Sequence, residues 1–267
     1  MNVSLLFVAT ACGLSALMAF AWLLQRKTGQ SGWIDATWSF AIGAAGAFLS
    51  LAPIDGEGPG ARQYIVAAFA VAGAARLGLH IVARSINAGE DPRYHELALE
   101  WGADFPRRLF GFLQIQAACA FLLSLAVFLA ARNPIAFPAL TDFAGVAILV
   151  AAIAGEAWSD ATLARFRATQ GPGKSVCRSG PWAWSRHPNY FFQWLSWVGF
   201  AVIAMNGTGA WPQGWLALLA PAFMYWLLAH VSGVPPLEKY MLASRGAAFR
   251  AYQAQVNVFF PGPQKRA

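Results

Sequence analysis

Charge is scarce in this chain. Lys, Arg, Asp and Glu make up 12% of its 267 residues, while 58% are hydrophobic; soluble domains carry roughly twice that charge. The shortage excludes an ordinary water-soluble globule and places the chain in a bilayer. Its length allows one compact helical bundle, a single membrane-embedded domain over 1–267 with no sizeable soluble domain. Cysteine is scarce too. Cys12, Cys119 and Cys177 are scattered with no C-x-x-C pair, so neither a disulfide framework nor a metal site is expected. No G-x-G-x-x-G follows a strand, which excludes a soluble dinucleotide fold. There is no internal repeat and no long Lys/Arg stripe, so the net charge of +7 does not imply nucleic acid as a partner. The N-terminus lacks a basic n-region and an A-x-A-like cleavage site, and its first apolar run reads as a retained span.

What is present is a series of apolar windows. Seven are long enough to cross a membrane: about 3–25, 33–53, 64–86, 108–131, 141–164, 190–206 and 210–231, the last two separated only by MNGTG. The expected fold is all-α integral membrane. Pro235 and Pro236 break the pattern, and an amphipathic tail follows over 234–267, with Leu237, Tyr240, Met241, Phe249 and Tyr252 at helix-like spacing. With the N-terminus outside, sixteen of the 19 Lys and Arg fall on the cytoplasmic side and only Arg62 and Arg132 on the other, Arg76 lying within the third span. Seven spans and a cytoplasmic tail follow from that asymmetry.

Polar side chains inside spans are costly and usually face the bundle interior. Here they are Asp35 in span two; Arg76, His80 and Arg84 at i, i+4, i+8 on span three; Gln114 and Gln116 on span four; Glu156 and Asp160 on span five; Asn189 and Gln193 on span six; His230 closing span seven; and Glu238 after the break that follows it. With the orientation above, all of them lie in the cytoplasmic half, which predicts one polar cavity opening inward. Arg76 needs a counter-charge, and Asp35 or Glu156 could supply it. Arg84, Arg107 and Arg108 at span ends read as snorkelling anchors.

The segment DATLARFRATQGPGKSVCRSGPWAWSRHPNY, residues 160–190, reads as a loop with five cations, a GPG turn, aromatics and a helix start. Cations beside a helix N-terminus suit phosphate. Aromatics suit a flat ring, and carboxylates and amides suit ribose hydroxyls and a carboxamide. That inventory fits a dinucleotide or an adenosyl cofactor.

Three stretches carry a family resemblance: SGPWAWSRHPNYFFQWLSWVG at 179–199, GEDPRY at 89–94, and VPPLEKYMLASRGAAFRAYQAQVNVFFP at 234–261. They resemble the "G.W..SRHPNY" core, the "GEDxRY" segment and the C-terminal tail of the membrane steroid 5α-reductase family, in particular its bacterial branch. The first and third are shared with isoprenylcysteine carboxyl methyltransferases. The resemblance implies NADPH-dependent reduction of a Δ4 double bond conjugated to a 3-ketone. Steroid or another hydrophobic enone would be the substrate and membrane lipid the surroundings of a monomer. The site would face the cytoplasm of a bacterial inner membrane. The runner-up is a methyltransferase using S-adenosylmethionine on a lipidated thiol or amine.

Site residues follow from the same resemblance. Asp160 and Arg167 match the acid and base that contact the cofactor, and Glu156 stands where eukaryotic members have asparagine. Arg178 precedes the conserved loop. Asn189 matches the asparagine on the nicotinamide side, with Gln193 one turn on. Arg186, His187 and Tyr190 share that motif, and Lys174 and Glu238 complete the cofactor set. The catalytic acid is Asp35. The eukaryotic tyrosine on span three has no counterpart here, where Ile81 follows His80, and the resemblance leaves Tyr94 of GEDPRY as the proton donor.

Overall fold

A computed structural model describes residues 1–87, 91–170, 175–205 and 211–265. The described residues are helical apart from turns and two isolated bridges. Six helical stretches among them are long and apolar enough to cross a membrane: Val3–Thr28, Gly32–Leu51, Ala61–Ile86, Arg93–Ala131, Leu140–Gln170 and Pro212–Arg245. This is consistent with a multi-pass membrane protein. The chain divides into two compact units, Met1–Phe143 with Phe200–Ala220, and Ala144–Gly199 with Pro221–Ala267.

The first unit is built on α1 (Val3–Thr28), α2 (Gly32–Leu51), α3 (Ala61–Asn87), α4 (Pro92–Trp101) and α5 (Phe105–Ala131). The Asn2 side chain caps α1 by accepting from the Leu5 amide at 2.8 Å, and Gly29, at φ 69°, ends it in the left-handed conformation that glycine adopts without cost. One stripe of α1, Leu6, Thr10, Leu14, Met18, Ala21 and Gln25, is buried, and apolar side chains such as Leu5, Val8 and Phe20 point outward. A helix apolar all round yet buried along one stripe is what lipid surroundings allow.

Helix α2 packs against α3 through small residues in antiparallel register. A Cβ placed on Gly32 would run into Ser85, one on Gly43 into Ala74, and one on Gly46 would sit 3.0 Å from the Ala70 Cβ. Such close approach is how membrane helices gain packing where lipid offers no hydrophobic drive. The unit is fastened at one end by Arg62, whose Nε and Nη2 each donate to Asp142 at 2.7 Å while Nη1 donates to the Asn133 carbonyl at 2.6 Å and the Ile135 carbonyl at 2.7 Å. Asp142 also accepts from the Ala139 amide at 2.7 Å, the back-reaching half of a capping box at the start of α6 (Leu140–Gln170).

In the second unit, α6 runs antiparallel to α7 (Pro188–Ala204). The seam again needs glycine: a Cβ on Gly155 would overlap the Phe192 ring, and one on Gly199 would lie 2.7 Å from Leu149 Cγ. Two sequence expectations change here. Helix α6 carries Asp160 as the fifth span was expected to, but it continues past 164 to Gln170, so Arg165 and Arg167 stand on its last turns and not in a loop, because nothing from 160 to 170 breaks a helix. The seventh expected span is irregular. It begins as a 3₁₀ turn at Pro212–Leu218, continues as α8 (Leu219–Trp226) and ends in a π-helical turn at Leu227–Val231, where the Ser232 amide reaches the Leu227 carbonyl at 2.8 Å. The sixth window forms α7, whose 17 residues lie at the lower limit for a span.

The tail folds as α9 (Val234–Arg245) and α10 (Ala247–Gln255), separated by Gly246 at φ 52°. That break resets the helical phase, and the expected single stripe does not form. Phe249, Tyr252 and Val256 make a buried cluster, whereas Leu237 and Tyr240 stay exposed.

Candidate functional site

The first unit brings together the acid and the tyrosine that the sequence singled out. Tyr94 is buried on α4, and its hydroxyl donates to Asp35 Oδ1 on α2 at 3.1 Å. From α5 the Gln116 amide approaches the same hydroxyl at 3.4 Å, with its own backbone carbonyl accepting from the Trp38 indole at 3.0 Å. Helix α4 owes its start to Asp91, whose side chain accepts from the Arg93 amide at 3.0 Å, and to Pro92 in the first turn.

The sequence reading missed Arg93. Its Nη2 donates to Asp35 Oδ2 and, at 2.8 Å, to Asp91 Oδ2. Asp35 therefore takes its ion pair from Arg93. The signal was available in GEDPRY, where an arginine stands between an acid and a tyrosine on one turn. Burial opposes ionisation of Asp91, but the hydrogen bonds and charge of Arg93, with the charge of Arg84, hold its carboxyl below the usual range. Gly89 and Glu90 of the same motif lie outside the described residues.

In the second unit two i, i+4 pairs on antiparallel helices face each other. The Asn189 amide donates to Asp160 Oδ1 at 3.2 Å. One turn along, the Gln193 amide nitrogen lies 3.2 Å from both oxygens of Glu156; this orientation is assigned because the opposite one sets oxygen against oxygen. Glu156 and Asp160 are both buried. The Asn189 oxygen accepts from the Tyr190 amide at 3.1 Å.

Arg186, His187 and Glu238 form a second cluster. Arg186 Nε donates to Glu238 Oε1 at 2.7 Å and Nη1 to the Val256 carbonyl at 2.7 Å. The His187 ring lies 3.0 Å from Glu238 Oε1 through Nε2, and Gln253 donates to Oε2 at 2.7 Å. The backbone joins in: the Arg186 amide donates to the Asn257 carbonyl at 2.8 Å and the Ser185 hydroxyl to the Phe259 carbonyl at 2.7 Å. The Tyr252 hydroxyl donates to the Trp182 carbonyl at 2.6 Å. Arg186 and Glu238 thus fasten the chain from 247 onward across the 180–187 turn.

The remaining residues are placed as follows. His187 stacks on Tyr190 with ring centroids 5.5 Å apart, and its Nδ1 is buried with no hydrogen-bond partner among the described residues. Burial lowers its proton affinity, the Glu238 hydrogen bond and charge acting the other way. Arg178 is exposed, donates to Gln255 at 2.8 Å and lies over the Tyr252 ring. Arg167 occupies the last turn of α6. Lys174 lies outside the described residues. No group of three His, Cys, Asp or Glu among the described residues is arranged to hold a metal ion.

Comparison with protein families matches residues 21–256 to "Protein of unknown function (DUF1295)". The chain belongs to the DUF1295 family. The match takes in all three stretches singled out above up to residue 256, and with them both clusters. Comparison with curated proteins and with solved structures gives no match.

Proposed function

We propose that this DUF1295 protein is an integral-membrane, NADPH-dependent reductase of a carbon–carbon double bond conjugated to a ketone, as in a 3-oxo-Δ4 steroid or a related enone lipid. The observation that carries the reading is the Asp35–Tyr94 contact: a carboxylate and a phenol 59 positions apart meet at 3.1 Å on helices α2 and α4. The family includes steroid 5α-reductase-like proteins, which supports the same chemistry.

The residues of the second unit suit a dinucleotide. Asp160 and Glu156 offer buried carboxylate oxygens to hydroxyls, and Asn189 and Gln193 offer both amide donors and acceptors to a carboxamide. The unpartnered Nδ1 of buried His187 is a further acceptor, since Nε2 carries the hydrogen toward Glu238. Arg167 and Arg178 would meet phosphate. Arg186 is already engaged by Glu238 and backbone carbonyls, so its contribution is to hold the turn.

When bound, NADPH supplies a hydride to the β carbon of the enone. Electron density then moves onto the ketone oxygen. Tyr94 donates a hydrogen bond to that oxygen and stabilises the enolate; Asp35 and Gln116 fix the direction of the phenol. A proton drawn from water and delivered to the α carbon of the enolate would complete the saturation. A single donor of this kind contributes about 10²–10³ in turnover. The rest of the reading is a monomer with its N-terminus outside, seven spans and the site on the cytoplasmic face of a bacterial inner membrane.

The test is purified protein with NADPH and progesterone or testosterone, the product identified by mass, together with melting curves in NADPH and in S-adenosylmethionine. Saturated product and a rise in melting temperature with NADPH alone support the reading. Stabilisation by S-adenosylmethionine alone would transfer the protein to methyl transfer.

A further inference from the structure

Arg93 has no part in the scheme above, yet it touches the carboxylate that accepts from the donor, a second carboxylate beside it, and the donor's own ring. Its Nη2 holds Asp35 Oδ2, its Nε donates to Asp91 Oδ1 at 3.0 Å, and its guanidinium carbon lies 5.8 Å from the centre of the Tyr94 ring. The other oxygen of Asp35, Oδ1, accepts from Tyr94. The two oxygens of one carboxylate therefore have separate partners. Arg84 Nη2, 3.7 Å from Asp91 Oδ2, extends the chain of charges so that two carboxylates face two guanidinium groups.

The arrangement poses a competition. A ketone oxygen can receive the Tyr94 hydrogen only by taking it from Asp35. Hydrogen bonds to an ionised acceptor are roughly twice as strong as those between neutral groups, so an unpaired carboxylate would keep the phenol. A carboxylate already engaged by a cation is a weaker competitor.

Resting on the reductase reading, we propose that Arg93 is the positioning residue that makes this exchange possible. It anchors Asp35 by Oδ2, so that the phenol is directed from Oδ1 alone, and its charge balances the carboxylate with which the substrate ketone competes.

The test compares kcat and KM of the full-length protein with NADPH and progesterone for wild type, Arg93→Gln, Arg93→Lys, Asp35→Asn and the double variant Asp35→Asn/Arg93→Gln. Arg93→Gln is expected to lower kcat about tenfold with the KM for NADPH unchanged. Arg93→Lys recovers most of that loss. The double variant is no slower than Arg93→Gln alone, because removing the Asp35 charge ends the competition that Arg93 balanced. A residue that merely braces the fold gives multiplicative losses in the double variant and no rescue by lysine; either result overturns the proposal, as does a loss carried in the KM for NADPH. Where Arg93→Gln yields no folded protein, Arg93→Met, which keeps much of the side-chain stem without the charge, takes its place in the same comparison of additive with non-additive loss. A wild-type protein that does not reduce the enone fails the reductase reading and takes this role with it. An active wild type beside an equally active Arg93→Gln fails this inference alone.

Discussion

Replacing Asp142 with Asn isolates the cost of one buried charge. The Arg62 and Asp142 side chains are each 6% exposed, and they share two hydrogen bonds of 2.7 Å. Asparagine fits the same space but turns an acceptor into a donor facing the guanidinium, so one of the two bonds is lost and the arginine charge stays buried without its counter-ion. Breaking a buried pair in this way costs about 3–5 kcal/mol. The Asn133 and Ile135 carbonyls continue to accept from Nη1, which places the expected cost near the lower end, about 3 kcal/mol. For a chain of this size that corresponds to a fall of about 10 °C in melting temperature. Purified Asp142→Asn and wild type in the same detergent, followed by intrinsic tryptophan fluorescence on heating, give the measurement. The double variant Arg62→Met/Asp142→Leu supplies the control: both charges are gone, but the Asn133 and Ile135 carbonyls and the Ala139 amide lose their partners, so its melting temperature should recover part of the loss and lie above that of Asp142→Asn. If Asp142→Asn melts with wild type, the pair is not shielded from water as its geometry indicates, and the argument fails.

Three further outcomes follow from the same structure. Gly43→Val should cost about 1–3 kcal/mol or more by forcing a side chain into Ala74, whereas Gly73→Ala on α3, where a Cβ meets nothing within 4 Å, should match or exceed wild type; melting temperatures of the two separate close packing from helix propensity. Burial holds the proton affinity of His187 below the ordinary value of 6.5, so the stability conferred by its neutral form is fully present above that pH and is lost as the pH falls below it. Melting curves from about pH 7.5 to 5 should show that loss in wild type and a flatter profile in His187→Gln. Asn189→Ala removes the amide held by Asp160 and, on the proposed reading, should weaken NADPH about tenfold in a binding titration while leaving the fold intact.

The helices were legible in the sequence because apolar length is a local property. So was the placing of Glu156 with Asp160, and of Asn189 with Gln193, on one helix face each, since both pairs have i, i+4 spacing; that the two pairs meet was not, because the long connection from Gln170 to Pro188 leaves the register of the two helices open. Partner choice among distant charges is not local. Arg62 read as one of two outward-side cations, yet its partner stands 80 positions away. Hydropathy treats Arg62 and Asp142 as two separate penalties and cannot register that they cancel. The irregular 212–231 stretch was hidden for a related reason. Its composition is apolar throughout, but Gly214 packs against the Ala204 carbonyl, and that tertiary contact is invisible to a window average.

The sharpest divergence concerns what the cations of the SRHPN turn are for. As sequence, Arg186 beside a helix start is an obvious phosphate ligand. In the fold its side chain is committed to Glu238 and to the carbonyls of Gln253 and Val256, and its backbone amide to Asn257. An arginine that closes one segment over another cannot be replaced without loosening both. Loss of activity in Arg186→Ala would therefore follow from lost fastening whether or not a nucleotide binds nearby, and it carries little information about the cofactor. Arg178 differs: it is exposed and meets only Gln255 and the face of Tyr252 in the contacts described. Removing it leaves the Ser185–Phe259 and Tyr252–Trp182 bonds that hold the turn. If phosphate recognition belongs to this face of the second unit, Arg178→Ala should weaken NADPH with the melting temperature unchanged, while Arg186→Ala should lower the melting temperature first. The contrast between the two variants, and not the loss in either, distinguishes a binding cation from a structural one.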